Sequence, residues 1–95
     1  MLSATDTKQA LANRAADFCR YLLPNGRKVG REWITGSLRG EAGQSCRVCV
    51  EGLKAGNFYD FATCEKGGNL VELTRQVRGC DFTEALRECE QWLSR

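Results

Sequence analysis

The fold is decided by residues 57–70, NFYDFATCEKGGNL, which combine an aromatic segment, a glycine pair and the start of a helix. The aromatic segment favours a strand with packing on both faces. The pair Gly67-Gly68 predicts a tight turn in which the backbone takes positive φ. Asn69 precedes an apolar run and is followed three positions later by Glu72. This spacing predicts a capped helix start. We therefore expect the other segments to pack around a strand, a turn and a helix in this order.

The chain of 95 residues predicts a single domain over residues 1–95, with a modest core. Its composition, 42% hydrophobic and 27% charged, is ordinary for a globular protein. No apolar run approaches the length of a bilayer span, and the first residues lack the basic and apolar regions of a signal peptide. The sequence therefore predicts a cytoplasmic protein without a membrane partner.

Upstream of this stretch the pattern changes from helix to strand. Residues 6–23 carry an apolar stripe at spacings of four, three and four, so a single helix is predicted, with Asp6 and Gln9 at its start. A Pro-Asn-Gly sequence ends it. Short alternating segments follow over residues 32–63, which predict three antiparallel strands joined by short turns.

Two further helices are predicted downstream, over residues 70–78 and 82–94. Gly79 separates them as a left-handed terminator, and Asp81 with Glu84 starts the second. The expected fold class is therefore α+β: a small three-stranded antiparallel sheet with one helix before it and two after it.

The charge of the chain is unevenly distributed, although the net charge is only +2. Residues 20–54 hold seven basic and three acidic side chains, a balance of +4, whereas residues 80–95 have a balance of −2. A basic middle segment favours a polyanion-binding face, although a solvated surface of mixed charge would give the same pattern.

Six cysteines raise the question of zinc. Cys46 and Cys49 have Cys-x-x-Cys spacing, and Cys64 is a possible third thiolate. Alternation in a strand would send Cys46 and Cys49 to opposite faces, and the chain has no histidine to complete a site. We therefore expect no cofactor and six unmetallated, reduced thiols, with zinc on these three cysteines as the alternative.

No catalytic arrangement is evident. The chain lacks histidine, the commonest general base, and shows neither paired carboxylates in an apolar setting nor a nucleophile motif. The glycine pair before a helix is too short a pattern to predict a phosphate-binding loop. The sequence therefore predicts a non-enzymatic protein.

Basic and aromatic residues interleave through the predicted sheet. This mixture is typical of surfaces that hold single strands, since bases stack on aromatic rings and cations contact phosphates. The alternative is that the aromatic residues form the core and the arginines only solubilise. The candidate phosphate contacts are Arg31, Arg39, Arg47, Lys54 and Lys66, and the candidate stacking residues are Trp33 and Tyr59.

Five short motifs together resemble the N-terminal zinc ribbon of bacterial-type DNA primases, especially the divergent versions in phage and mobile-element primase-helicases. The motifs are LPNG at 23–26, GREW at 30–33, YDFA at 59–62, KGGNL at 66–70 and FTEAL at 82–86. The most specific is the Lys-Gly-Gly-Asn-Leu turn after an aromatic strand. The resemblance covers about two thirds of the chain.

The resemblance places the family's four zinc ligands on Gly36, Arg39, Phe61 and Cys64, of which only Cys64 could bind metal. It therefore implies a ribbon whose zinc site has been lost, with Phe61 filling part of the vacated space. A structural zinc contributes on the order of 10 kcal/mol to folding. We expect the N-terminal helix and packing among Trp33, Phe58 and Phe61 to replace it.

The resemblance also implies a function. In the primases this domain binds single-stranded template DNA for a separate catalytic domain during DNA replication. The expected partners are thus single-stranded DNA and a primase, helicase or DNA polymerase protein. The alternative is an adaptor or regulator of a replication complex that binds protein through an exposed surface on the last helix. That surface would comprise Glu84, Glu88, Glu90 and Trp92.

Overall fold

The computed structural model describes residues 3–95, so Met1 and Leu2, the first residues of the predicted domain, lie outside the described residues. The α+β class is confirmed, but the counts of helices and strands differ from the prediction. The described chain has four helices and a five-stranded antiparallel sheet. Its elements in order are α1 (Ala4–Asn13), α2 (Ala15–Leu22), β1 (Arg27–Val29), β2 (Glu32–Thr35), β3 (Cys46–Cys49), β4 (Phe58–Asp60), β5 (Lys66–Gly67), α3 (Leu70–Arg78) and α4 (Phe82–Leu93).

The predicted helix over residues 6–23 is two helices. Arg14 leaves helical geometry, with φ −128° and ψ 33°, and its guanidinium lies over the ring of Trp92, 4.3 Å from the ring centroid. The start also lies earlier than predicted, because Ser3 and Asp6 form a reciprocal capping box. The apolar stripe itself is confirmed, since its four members are all buried: Leu11, Ala15, Phe18 and Leu22.

The sheet is a meander in which the strands lie in sequence order. The three strands predicted over residues 32–63 correspond to β2, β3 and β4. Strand β1 was missed because it is only three residues long and wholly exposed, so it shows no alternation of apolar and polar residues. Strand β5 was missed because it is only two residues long and its second residue, Gly67, belongs to the pair predicted as a turn.

The two faces of the sheet have different environments. Strand register places one row against the helices: Lys28, Trp33, Val48, Phe58 and Gly67. The apolar members of this row belong to the core cluster formed with the helices. The opposite row is Arg27, Ile34, Arg47, Tyr59 and Lys66. Within the described residues this second row has no member in that core cluster, so we call this side the open face, although Ile34 itself is only 4% exposed. On β4 the expected packing on both faces is not found, because Tyr59 is only half-buried and Phe61 is exposed.

Gly67 is required for steric reasons rather than for positive φ. Neither Gly67 nor Gly68 is among the described glycines with positive φ, so that prediction is wrong. Gly67 lies in β5 directly opposite Phe58, and a Cβ atom on Gly67 would come within 2.5 Å of the Phe58 ring. A glycine here lets the Phe58 ring lie flat across the neighbouring strand.

The C-terminal helices agree with the prediction to within one residue. The Asn69 side chain accepts a hydrogen bond from the Glu72 amide, and Asp81 caps α4 in the same way through Glu84. Gly79 ends α3 in the left-handed conformation, with φ 65°. Among residues 3–95, no helix has the length and apolarity needed to cross a membrane.

Candidate nucleic-acid interface

Three of the predicted contact residues lie side by side on the open face. Arg47, Tyr59 and Lys66 are consecutive partners across β3, β4 and β5. Residues directly opposite each other in antiparallel strands have Cβ atoms about 4.5–5.5 Å apart. The register extends this row to Ile34 and Arg27 on β2 and β1. The meander therefore gathers three cations, one aromatic ring and the buried Ile34 into a single line across five strands.

An aromatic pair continues the open face along β4. Phe61 is two residues after Tyr59, so both side chains lie on the same side of the sheet. Their ring centroids are 4.8 Å apart with the planes inclined at 59°. Phe61 is 66% exposed, so the expectation that it fills space vacated by a metal is wrong. The pair instead presents aromatic surface to solvent.

Trp33 is not a base-stacking residue, contrary to the prediction. It lies on the face of β2 that packs against the helices and is only 3% exposed. Its Nε1 donates a hydrogen bond to the Leu23 carbonyl oxygen at 3.0 Å. A buried indole N–H needs such a partner. Trp33 therefore joins β2 to the end of α2 and leaves Tyr59 as the stacking candidate.

A groove with a volume of about 210 Å³ lies on the open face beside the aromatic pair. Its lining includes Glu32, Cys49 and Asn57 as well as Arg47 and Phe61. Arg47 Nη1 donates to Glu32 Oε1 at 3.1 Å. A guanidinium has five N–H donors, so this bond positions Arg47 and leaves donors for an anionic ligand.

A second hollow, with a volume of about 430 Å³, adjoins the first at Cys49. The predicted phosphate contacts Arg31 and Lys54 line it, from the β1–β2 and β3–β4 turns. Among the described residues that line it, Glu51 is the only acidic one, and a hydrogen bond from Lys28 holds the pKa of that carboxyl below its usual value of 4.5. The hollow therefore extends the basic surface to this end of the sheet.

Arg39 lies apart from the other predicted contacts. It is exposed in the loop between β2 and β3, next to the core residue Leu38. This loop follows the C-terminal end of β2, whereas Arg31 precedes the N-terminal end. The structure therefore groups Arg47 and Lys66 in the row and Arg31 with Lys54 in the second hollow, but does not bring Arg39 to either.

The three cysteines considered for zinc are not brought together. Cys46 lies on the helix-facing side of β3 and is fully buried, Cys49 lies on the open face, and Cys64 is exposed in the turn after β4. Burial raises the pKa of the Cys46 thiol to about 12, whereas zinc binds the thiolate. In the described part of the chain, no three His, Cys, Asp or Glu side chains are placed to hold a metal.

The surface expected for an adaptor on the last helix is not formed as predicted. Trp92 is only 7% exposed and packs edge-on against Phe18, with ring centroids 5.0 Å apart. Glu88 is held by an ion pair with Arg78 at 2.8 Å and by a hydrogen bond from the Tyr21 hydroxyl. Trp92 and Glu88 therefore make contacts between helices and do not form the exposed surface that was predicted.

Four residues of the interface were not predicted from sequence: Arg27, Glu32, Asn57 and Phe61. The available signal was the period of two. Counting back from Tyr59 along β4 places Asn57 on the same face, and counting forward places Phe61 there. The same counting fails for Arg27, because β1 had not been recognised as a strand.

Comparison of the chain with protein-family models, with curated proteins and with solved structures finds no match. The resemblance to primase zinc ribbons therefore stays a prediction.

Proposed function

We propose that this protein is a non-catalytic module that binds single-stranded DNA on the open face of its sheet. The observation that carries the proposal is the row of Arg27, Arg47, Tyr59 and Lys66, extended by the exposed ring of Phe61. Cations on such a face neutralise phosphates, and exposed rings stack with bases of any sequence.

The state of the charged groups supports this proposal. The Tyr59 hydroxyl is neutral at physiological pH, because an ordinary tyrosine has a pKa of about 10 and the neighbouring Cys64 thiol raises the pKa of this one further; the ring therefore does not repel phosphate. Arg47 pairs with the neighbouring Glu32 carboxylate through a single nitrogen, so its other guanidinium donors remain for phosphate. The open face thus offers positive charge and aromatic surface together.

The resemblance to primase ribbons supports a more specific role. By that likeness, the bound strand is template DNA in replication or priming, and the polymerising chemistry belongs to a primase, helicase or polymerase partner. The ribbon would keep its sheet and the turn that precedes α3 without a zinc ion. By the same likeness, the packing of Trp33 and Phe58 in the core cluster would take over the structural role of the metal.

The proposal is tested by binding of a fluorescein-labelled oligo(dT) strand, measured by fluorescence anisotropy at low salt. The Phe61→Ala variant removes an exposed ring from the open face, and we expect it to weaken binding by roughly 1–3 kcal/mol, the contribution of one stacked base. The matched control is Phe82→Ala, since Phe82 is a 42% exposed phenylalanine on α4 in the helical layer.

The expected outcome is a loss of affinity in Phe61→Ala and none in Phe82→Ala, with circular dichroism showing that both variants are folded. Equal loss in the two variants, or the absence of binding by the unmodified protein, would show that the open face is not a single-strand site.

A further inference from the structure

The groove on the open face contains a polar edge in addition to its aromatic side. Beside the row of Arg47 and Tyr59, a second row on the open face runs from Glu32 on β2 through Cys49 on β3 to Asn57. Glu32 is the register partner of Cys49. The Cys49 amide in turn donates a hydrogen bond to the Asn57 carbonyl oxygen. The aromatic pair of Tyr59 and Phe61 bounds the same groove. A flat ring stacked on the aromatic pair would therefore present its edge to a carboxylate.

The volume of the groove limits what can enter. It is about 210 Å³, below the range of roughly 300–1,000 Å³ that is typical for drug-sized ligands. This size suits one planar ring system, with its sugar and phosphate remaining outside. The cations of the row, Arg47 and Lys66, lie where that backbone would pass.

The Glu32 carboxylate is positioned as a hydrogen-bond acceptor. Its Oε1 accepts from Arg47 Nη1 at 3.1 Å, and among the described residues Oε2 has no hydrogen-bond partner. The side chain is 41% exposed. An ionised carboxylate accepts only and can accept at both oxygens, so an incoming base must offer N–H groups.

The four bases differ in what they offer such an acceptor. Guanine carries two adjacent donors, N1–H and the 2-amino group, which match the two oxygens of a carboxylate. In adenine and cytosine the amino donor lies beside an unprotonated ring nitrogen, which repels the second oxygen. In thymine the single N3–H lies between two carbonyl oxygens. Asn57, on the opposite side of the groove, can donate to guanine O6 or N7.

We propose that the groove selects guanine within a bound single strand, with Glu32 as the residue that determines specificity. This inference rests on the proposed function, because the stacking and phosphate contacts hold the strand in place. Arg47 is a positioning residue for the Glu32 carboxylate and also contacts phosphate.

The test measures anisotropy of labelled thymine oligonucleotides that contain one central deoxyguanosine, deoxyinosine, deoxyadenosine or deoxycytidine, beside the all-thymine strand. We expect the guanine strand to bind about tenfold more tightly than the all-thymine strand, as one bidentate contact gives. Inosine lacks the 2-amino group, so its strand should lie between these two.

The variant Glu32→Gln removes the charge and one of the two acceptor oxygens. We expect weaker binding of the guanine strand, so that most of the preference is lost, while the all-thymine strand binds at least as well as before, because no carboxylate then competes with phosphate for Arg47. The matched control is Asp17→Asn, an exposed carboxylate on α2 that pairs with Arg20 at 3.0 Å. It should leave the preference unchanged.

The two proposals fail differently in this experiment. If all strands bind equally and binding weakens with salt, the guanine inference is overturned and the single-strand proposal stands. If Glu32→Gln keeps the preference, guanine is recognised elsewhere and the inference is also overturned. If no strand binds, both proposals are overturned.

Discussion

The salt dependence of DNA binding can be calculated from the cations on the open face and the adjoining hollow. There are five: Arg27, Arg47 and Lys66 in the row, and Arg31 and Lys54 in the second hollow. Each phosphate neutralised on a single strand contributes about 0.7 to the slope of log K against log salt concentration. If all five make contact, the slope is about −3.5.

Removing one contact should change this slope by a defined amount. In Lys66→Ala we expect a slope smaller in magnitude by about 0.7, together with weaker binding at every salt concentration. The control is Arg87→Ala, since Arg87 is an exposed cation on α4 in the helical layer. Both variants lose one positive charge, so they differ only in where the charge was.

The assay is anisotropy of labelled oligo(dT) over a series of sodium chloride concentrations, with each variant checked for folding by its thermal unfolding midpoint. A slope near zero for the unmodified protein would refute phosphate binding. An equal change of slope in Lys66→Ala and Arg87→Ala would refute the assignment to the open face and indicate a nonspecific effect of net charge.

Three further predictions concern stability and metal content. In a urea titration, Gly67→Ala should lower the free energy of unfolding by roughly 1–3 kcal/mol, because the added Cβ overpacks against Phe58. The control is Gly68→Ala, whose Cβ would meet nothing closer than 3.8 Å. It should change the free energy of unfolding by less than about 0.5 kcal/mol. The ion pair with Arg78 and the hydrogen bond from the Tyr21 hydroxyl hold the pKa of Glu88 below 4.5. The stability that the ionised Glu88 carboxylate contributes is therefore complete above pH 4.5 and is lost as the pH falls through the lowered pKa. Glu88→Gln should cost about 1 kcal/mol of unfolding free energy at neutral pH, and a cost that persists in strong acid would contradict this. Elemental analysis should find well below one zinc per chain, with an unfolding midpoint unaffected by chelator; stoichiometric zinc would contradict the loss of the site.

Much of the fold follows from local sequence signals. The cap at Asn69, the left-handed stop at Gly79 and the cap at Asp81 each act within one helical turn, so the C-terminal helices could be placed from sequence. The buried stripe of the N-terminal segment follows from its spacing in the same way. These features depend on neighbours in the chain rather than on tertiary contacts.

Other features depend on contacts that the sequence does not display. The break at Arg14 involves no glycine or proline and coincides with stacking on Trp92, far away in the chain. The requirement for Gly67 comes from the Phe58 ring on the neighbouring strand. Both are tertiary effects that override local propensity.

The candidate site shows the same division. Arg47, Tyr59 and Lys66 were predicted as contacts, but only the register places them in one row. Trp33 was predicted to stack on DNA bases because it is an aromatic residue among basic side chains. That pattern does not show which face of β2 the residue occupies. Its hydrogen bond to Leu23 depends on how α2 ends against the sheet.

The central claim is that single-stranded DNA lies on the open face, and backbone NMR tests it most directly. An ¹⁵N-labelled sample is titrated with unlabelled oligo(dT), and amide shift changes are mapped onto the chain. The account predicts the largest changes along Arg47, Tyr59, Phe61 and Lys66, with α4 unaffected. Changes confined to the helices, or no change at saturating DNA, would contradict it.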